Sequence, residues 1–139
     1  MTESRNSAIA ALVLRVALGT MFIAHALLKY FVFTLPGTAE FFASLGLPGV
    51  LAYATFAAEL VGGVLLLLGL QTRIVALALV PILLGATWAH AGNGWLFTAP
   101  NGGWEYPAFL TVTLIVQALL GDGAYALRPS HPQPVARPA

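Results

Sequence analysis

Hydrophobic positions fall into four long runs, at residues 8–33, 50–70, 74–91 and 106–127. Each is close to the roughly 20 residues that span about 30 Å of hydrocarbon. In lipid the backbone must satisfy its own hydrogen bonds, so each run predicts a helix. The connections carry turn signals. Gly69-Leu70-Gln71-Thr72-Arg73 is short enough to make the second and third helices antiparallel neighbours. Residues 35–49 hold Pro36-Gly37 and Leu47-Pro48-Gly49, with Phe41, Phe42 and Leu45 at helical spacing beside Glu40 and Ser44, the pattern of a short helix on a membrane surface. The third connection, 92–105, is rich in Gly, Asn and Trp. The expected fold is an all-α membrane protein: an antiparallel four-transmembrane-helix bundle with an interfacial helix between the first two spans. Residues 1–128 form one domain. Residues 129–139, with four prolines, read as a disordered cytoplasmic tail.

Composition agrees with the pattern. Of 139 residues, 59% are hydrophobic and 8% charged, whereas a soluble domain carries about 25% charged residues. The net charge of +1 leaves no basic footprint for nucleic acid. There is no cysteine, which excludes disulfides, thiolate nucleophiles and Cys-ligated metal centres. Ala24-His25-Ala26 has the form of a signal-peptidase site, but Arg15 interrupts the preceding run and the apolar stretch continues to Phe33, so the first helix is expected to be retained.

The charges orient the chain. Arg5, Arg73, Arg128 and Arg137 fall on one side, with Arg15 nearest it; the opposite connections hold Glu40 and Glu105 and no Lys or Arg. By the positive-inside rule both termini are cytoplasmic, with Lys29 the one exception. Trp95, Trp104 and Tyr106 then lie at the outer interface, where aromatic belts form. Small-residue pairs Ala58/Gly62 and Gly85/Ala89 mark expected close helix approaches.

Ionisable groups inside apolar runs cost a few kcal/mol each and usually mark a functional interior. Arg15, His25 and Lys29 share an arc of about 80° on the first helix. Thr55, Glu59, Gly62 and Gly63 share a face of the second, and Tyr106, Thr113 and Gln117 a face of the fourth. His25 and Glu59 come to similar depth, with His90, Asn93 and Glu105 above them. These positions predict a polar cavity open to the outer face and roofed by the loop 92–105. Glu59 and His90 are its candidate catalytic groups. His25, Lys29, Asn93, Trp95, Trp104 and Glu105 are its candidate ligand-binding groups. Glu59 with Lys29 also reads as a pair that fixes helix register. Arg15 and Asp122 are expected to form a structural ion pair near the inner surface. His25 and His90 differ in level by about 10 Å, too far to share one haem iron. No HxxxH or HxxE spacing supports a metal, so neither haem nor metal is expected.

The chain resembles the DoxX family of small four-helix membrane proteins over nearly its whole hydrophobic length. The resemblance rests on Arg15 and Lys29, Leu45-Gly46-Leu47-Pro48, Glu59-Leu60-Val61-Gly62-Gly63, Gly69 with Thr72-Arg73, His90 with Asn93-Gly94-Trp95, Gly103-Trp104-Glu105-Tyr106, and Gly121-Asp122-Gly123. It departs where the family reads Ser-Leu-Asp after its last glycines; here the chain reads Tyr125-Ala126-Leu127-Arg128. The resemblance implies a bacterial inner-membrane protein linked to quinone and sulfur redox chemistry, with relatives that include a thiosulfate:quinone oxidoreductase subunit and members of oxidative-stress complexes. Three readings follow. The first is a quinone-interacting oxidoreductase or a subunit of one, with quinone as its cofactor. The second is a membrane scaffold for a peripheral redox partner protein. The third is a small transporter or efflux component, which would need to homo-oligomerise to supply enough helices.

Overall fold

The computed structural model describes residues 2–129. All but the first residue of the expected disordered tail lies outside the described residues. Within them the chain is helical: α1 (Thr2–Phe31), α2 (Leu35–Ser44), α3 (Val50–Leu68), α4 (Thr72–His90) and α5 (Glu105–Leu120), with a 3-10 turn at Ala91–Asn93 after α4. No strand forms among the described residues; Leu70 and Arg128 form an isolated bridge.

Three helical stretches are long and apolar enough to cross a membrane: Glu3–Phe31, Val50–Leu68 and Thr72–Asn93. α1 begins six residues before the apolar run. Its polar start suits a helix N-terminus, with Glu3 in the first turn and Ser7 Oγ donating to Glu3 O. α5 is shorter than the expected run 106–127. It has 16 residues, about 24 Å of rise, because Gly121 at φ 85° ends it and Gly123 at φ 73° turns the chain again. Residues 121–128 instead run back as a strap across the helix ends. Ala124 N donates to Ala8 O, Leu127 N to Leu68 O and Arg128 N to Gly69 O.

α2 forms where the turn signals placed it. Thr34 caps it, its Oγ1 accepting from Gly37 N, and Pro36 occupies the first turn, where a missing N–H costs nothing. Phe41 and Glu40 face outward, while Thr38 is buried.

The helices pack α1 on α3, α3 on α4, α4 on α5 and α5 back on α1. The α1–α3 crossing is set by Gly19 and Gly63: a Cβ on either would meet the other's carbonyl oxygen at 2.8 and 2.9 Å. Such contact of bare backbone is how helices associate in lipid, where apolar area supplies no net attraction. Gly62 lies against the Leu79 side chain of α4. The Gly85/Ala89 pair behaves otherwise: Gly85 has nothing within 4 Å and points away from the bundle.

Leu18, Phe22, Leu66, Leu79, Leu83 and Leu114 build the core. The largest fully enclosed side chains nonetheless include Arg15, Gln117 and Thr72, whereas Phe31, Leu119 and Ile74 are 72%, 74% and 64% exposed. Polar inside and apolar outside is the arrangement that hydrocarbon solvent favours.

Candidate functional site

The Gly19–Gly63 crossing brings the loop-side halves of α1 and α3 together. One result is an ion pair. Lys29 Nζ donates to Glu59 Oε2 at 2.7 Å, with side chains only 18% and 8% exposed. One turn before Lys29, His25 Nδ1 is 2.8 Å from Met21 O. A carbonyl only accepts, so Nδ1 is the donor in this contact. The His25 ring stacks on Tyr106, centroids 5.8 Å apart and planes at 23°. Tyr106 is in the first turn of α5, and its hydroxyl is buried without a hydrogen-bond partner. α1, α3 and α5 thus contribute to one neighbourhood.

The loop between α4 and α5 is folded on itself. Trp104 N donates to Gly94 O and Glu105 N to Trp95 O, pinching its ends together. Glu105 Oε1 accepts from Phe97 N at 3.0 Å. Asn93 Nδ2 donates to Asn101 O and Gly102 O at 3.2 and 2.8 Å. His90 Nδ1 donates to Ala86 O, and the edge of its ring lies against Gly102, where a Cβ would sit 3.4 Å from Cδ2. Trp95 and Trp104 meet edge to face at 4.5 Å. Beside this loop a groove of about 480 Å³ runs along α5, walled by Trp95, Phe97, Glu105, Tyr106, Phe109 and Val112. Its walls are aromatic and aliphatic, with Glu105 the one charge.

The sequence-predicted residues therefore fall into two groups. His25, Lys29 and Glu59 gather between α1 and α3; His90, Asn93, Trp95, Trp104 and Glu105 build the loop. Tyr106 joins them, because it stacks on His25 and also walls the groove. The groove takes in Trp95 and Glu105 but not His25, Lys29, Glu59 or His90, and it is apolar where a polar cavity was expected. Phe97 and Phe109 were not singled out from the sequence. Their signal was available: Tyr106 and Phe109 are i, i+3 on one helix face, two residues that can wall the same surface. Among the described residues no three His, Asp or Glu side chains converge as a metal centre.

Arg15 and Asp122 lie at the opposite end of the bundle, the end carrying the termini. Arg15 Nη1 donates to Leu66 O and Leu67 O at 2.9 and 2.8 Å, and Nη2 to Ala124 O at 3.0 Å. Leu66 and Leu67 are in the last turn of α3, where carbonyls have no partner within the helix and a cation is favoured. Asp122 Oδ1 accepts from Thr72 N at 3.3 Å, an anion at the N-terminus of α4, and it acts electrostatically on Arg15. Each charge thus meets a helix end as well as feeling the other.

Comparison with known proteins places this geometry. The model of the DoxX family matches residues 10–92, from α1 to the 3-10 turn. The protein of Bacillus subtilis (strain 168) named "Putative oxidoreductase CatD" is 39% identical over 127 residues, covering 91% of this chain and 90% of that protein. No solved structure gives a significant match. A family match over more than half the chain, with a relative aligned along nearly its whole length, establishes that this chain belongs to the DoxX family.

Proposed function

We propose that this protein crosses the bacterial inner membrane as an antiparallel bundle of four helices, with both termini in the cytoplasm, and binds a quinone in the aromatic groove beside Tyr106. It would act as an oxidoreductase or as the membrane subunit of a redox or oxidative-stress complex. The observation that carries the reading is Tyr106. Its ring walls an apolar groove, while its hydroxyl is buried and unpartnered, a state that costs about 1–3 kcal/mol unless a ligand or water satisfies it. The name of the Bacillus subtilis relative supports a redox role. Arginines at the termini end and acidic residues at the loop end support the orientation.

The residues fit the group. A groove of about 480 Å³ is within the roughly 300–1,000 Å³ usual for small-molecule sites. Trp95, Phe97 and Phe109 offer flat apolar faces to a ring, and Phe109 is 64% exposed on the side that lipid would cover, so a lipid-soluble ligand has a lateral entrance. Tyr106 would offer its ring to the quinone, and its enclosed hydroxyl would donate to a quinone carbonyl once the ring turns toward the groove. Glu105, at the groove wall, and His25, through Nε2, would exchange protons with the aqueous face. A bound quinone supplies the two-electron chemistry that a chain without cysteine does not carry itself. Glu59 and His90 act at one remove in this reading: Glu59 holds Lys29 and so α1 against α3, and His90 supports the loop at Gly102.

The test is titration of the purified protein with a short-tailed benzoquinone, read by quenching of tryptophan fluorescence. Loss of one hydrogen bond in Tyr106→Phe should raise Kd about tenfold. Its melting temperature should not fall, because the hydroxyl has no protein partner. Phe109→Ala should weaken binding through the ring contact. If both variants remain folded and bind as the parent does, the groove is not the site. If the parent itself does not bind, the scaffold reading is favoured, which the internally satisfied Lys29–Glu59 pair also supports.

A further inference from the structure

Four buried side-chain polar atoms among the described residues have no protein partner, and three of them gather at the termini end: Arg15 Nε, Thr72 Oγ1 and Gln117 Oε1. Their residues are 1%, 0% and 0% exposed. Short links hold them around one interior. Gln117 Nε2 donates to Ala11 O, one turn before Arg15, and to Gly121 O, next to Asp122. Both partners are carbonyls, so the amide orientation is fixed and Oε1 must face away from them. Asp122 reaches Thr72 N, and Arg15 crosses to the strap at Ala124 O. α1, the start of α4 and the end of α5 therefore bring these three side chains to one end of the bundle, beside the strap and apart from the groove and the Lys29–Glu59 pair.

We propose that a built site for structural water lies among these three side chains and ties α1, α4 and α5 together at this end of the bundle. The chemistry of its walls selects the occupant. Arg15 Nε can only donate, Gln117 Oε1 can only accept, and Thr72 Oγ1 does either. An anion would answer Arg15 but face the oxygen of Gln117. A cation would do the reverse. Water accepts from Arg15 and donates to Gln117 and Thr72, the roughly three hydrogen bonds that a buried water usually makes. The site explains why three polar side chains are sealed in a bundle whose outer surface is apolar. It joins three helices beside the strap, residues 121–128, which is held by its own backbone bonds.

Thr72→Val tests this by the sign of its effect, because valine keeps the shape and the backbone N–H and removes only the hydroxyl. With water in the site, the full-length protein in detergent should melt several degrees below the parent, and Thr72→Ser should lie closer to the parent than Thr72→Val does. With a dry site, removing an unpartnered hydroxyl relieves a cost, and Thr72→Val should melt at or above the parent, which overturns the proposal. A second measurement needs no variant. In water-edited solid-state NMR of the parent in lipid vesicles, the Gln117 side-chain amide should receive magnetisation from water about as fast as that of Asn93 in the loop; transfer as slow as in the apolar core overturns the proposal. A parent melting temperature that shifts when chloride is exchanged for gluconate would assign the site to an anion and overturn the water reading.

Discussion

Replacing Glu59 by Gln tests whether the ion pair between α1 and α3 holds the bundle together. Lys29 Nζ and Glu59 Oε2 are 2.7 Å apart. At an effective dielectric of about 20 the raw attraction is about 6 kcal/mol. Removing two charges from water offsets much of this, so the net worth of the pair is small while the cost of breaking it is large. Glu59→Gln keeps the size but leaves the ammonium of Lys29, 18% exposed, without its counter-charge. That change should cost about 3 kcal/mol, near the lower end for a buried pair because Lys29 keeps some access to its surroundings. Lys29→Met should cost about as much, since it strands Glu59. The double variant should lose only about 2 kcal/mol rather than the sum of about 6, a coupling of about 4 kcal/mol, above the roughly 0.5–3 kcal/mol usual for residues in contact because each single change strands a buried charge. The assay is reversible unfolding in mixed micelles, titrated with denaturing detergent and followed by helical circular dichroism. Additive single losses would show that the two charges are independently solvated and that the observed contact contributes nothing.

Two further outcomes are expected. Gly63→Ala, whose Cβ would sit 2.8 Å from Ile23 Cγ1 and 2.9 Å from Gly19 O, should cost about 1–3 kcal/mol in the same assay, whereas Gly85→Ala, with nothing within 4 Å, should be neutral or gain up to about 1 kcal/mol; equal effects would mean that the Gly19–Gly63 crossing is not a close contact. Reporter fusions after Leu127 should score as cytoplasmic and fusions within 92–105 as periplasmic, and the reverse pattern would turn the groove to the cytoplasmic side.

What could be read from the chain follows from what each signal reports. Hydrophobic run length reports passage through lipid, and it located the helices well in the middle and poorly at the ends. α1 starts earlier because its first turn is polar and helical at once, and α5 stops earlier because Gly121 breaks the backbone within an apolar stretch. Helical phase, at about 100° per residue, brought Lys29 and Glu59 onto facing sides, and they meet. The same arithmetic put His90 at the loop end of its helix but could not show that its ring turns to Gly102 of the loop rather than to the bundle. Phase assigns a side, while loop folding decides a contact. Small-residue spacing failed in an instructive way. Gly85/Ala89 has the regular spacing yet faces outward, and the crossing that matters joins Gly19 and Gly63, residues on different helices whose pairing no within-helix period encodes. The groove was illegible for the same reason: Trp95 and Phe97 come from a loop, Tyr106 and Phe109 from a helix, and only the backbone bonds Trp104 N to Gly94 O and Glu105 N to Trp95 O bring them to one wall. Arg15 shows the converse. A single cation inside an apolar run marks an interior position whatever its partners are, because no lipid-facing site would tolerate it. Its partners are the last-turn carbonyls of α3 and the strap as well as the nearby Asp122, so the sequence located the charge but did not show that it caps a helix.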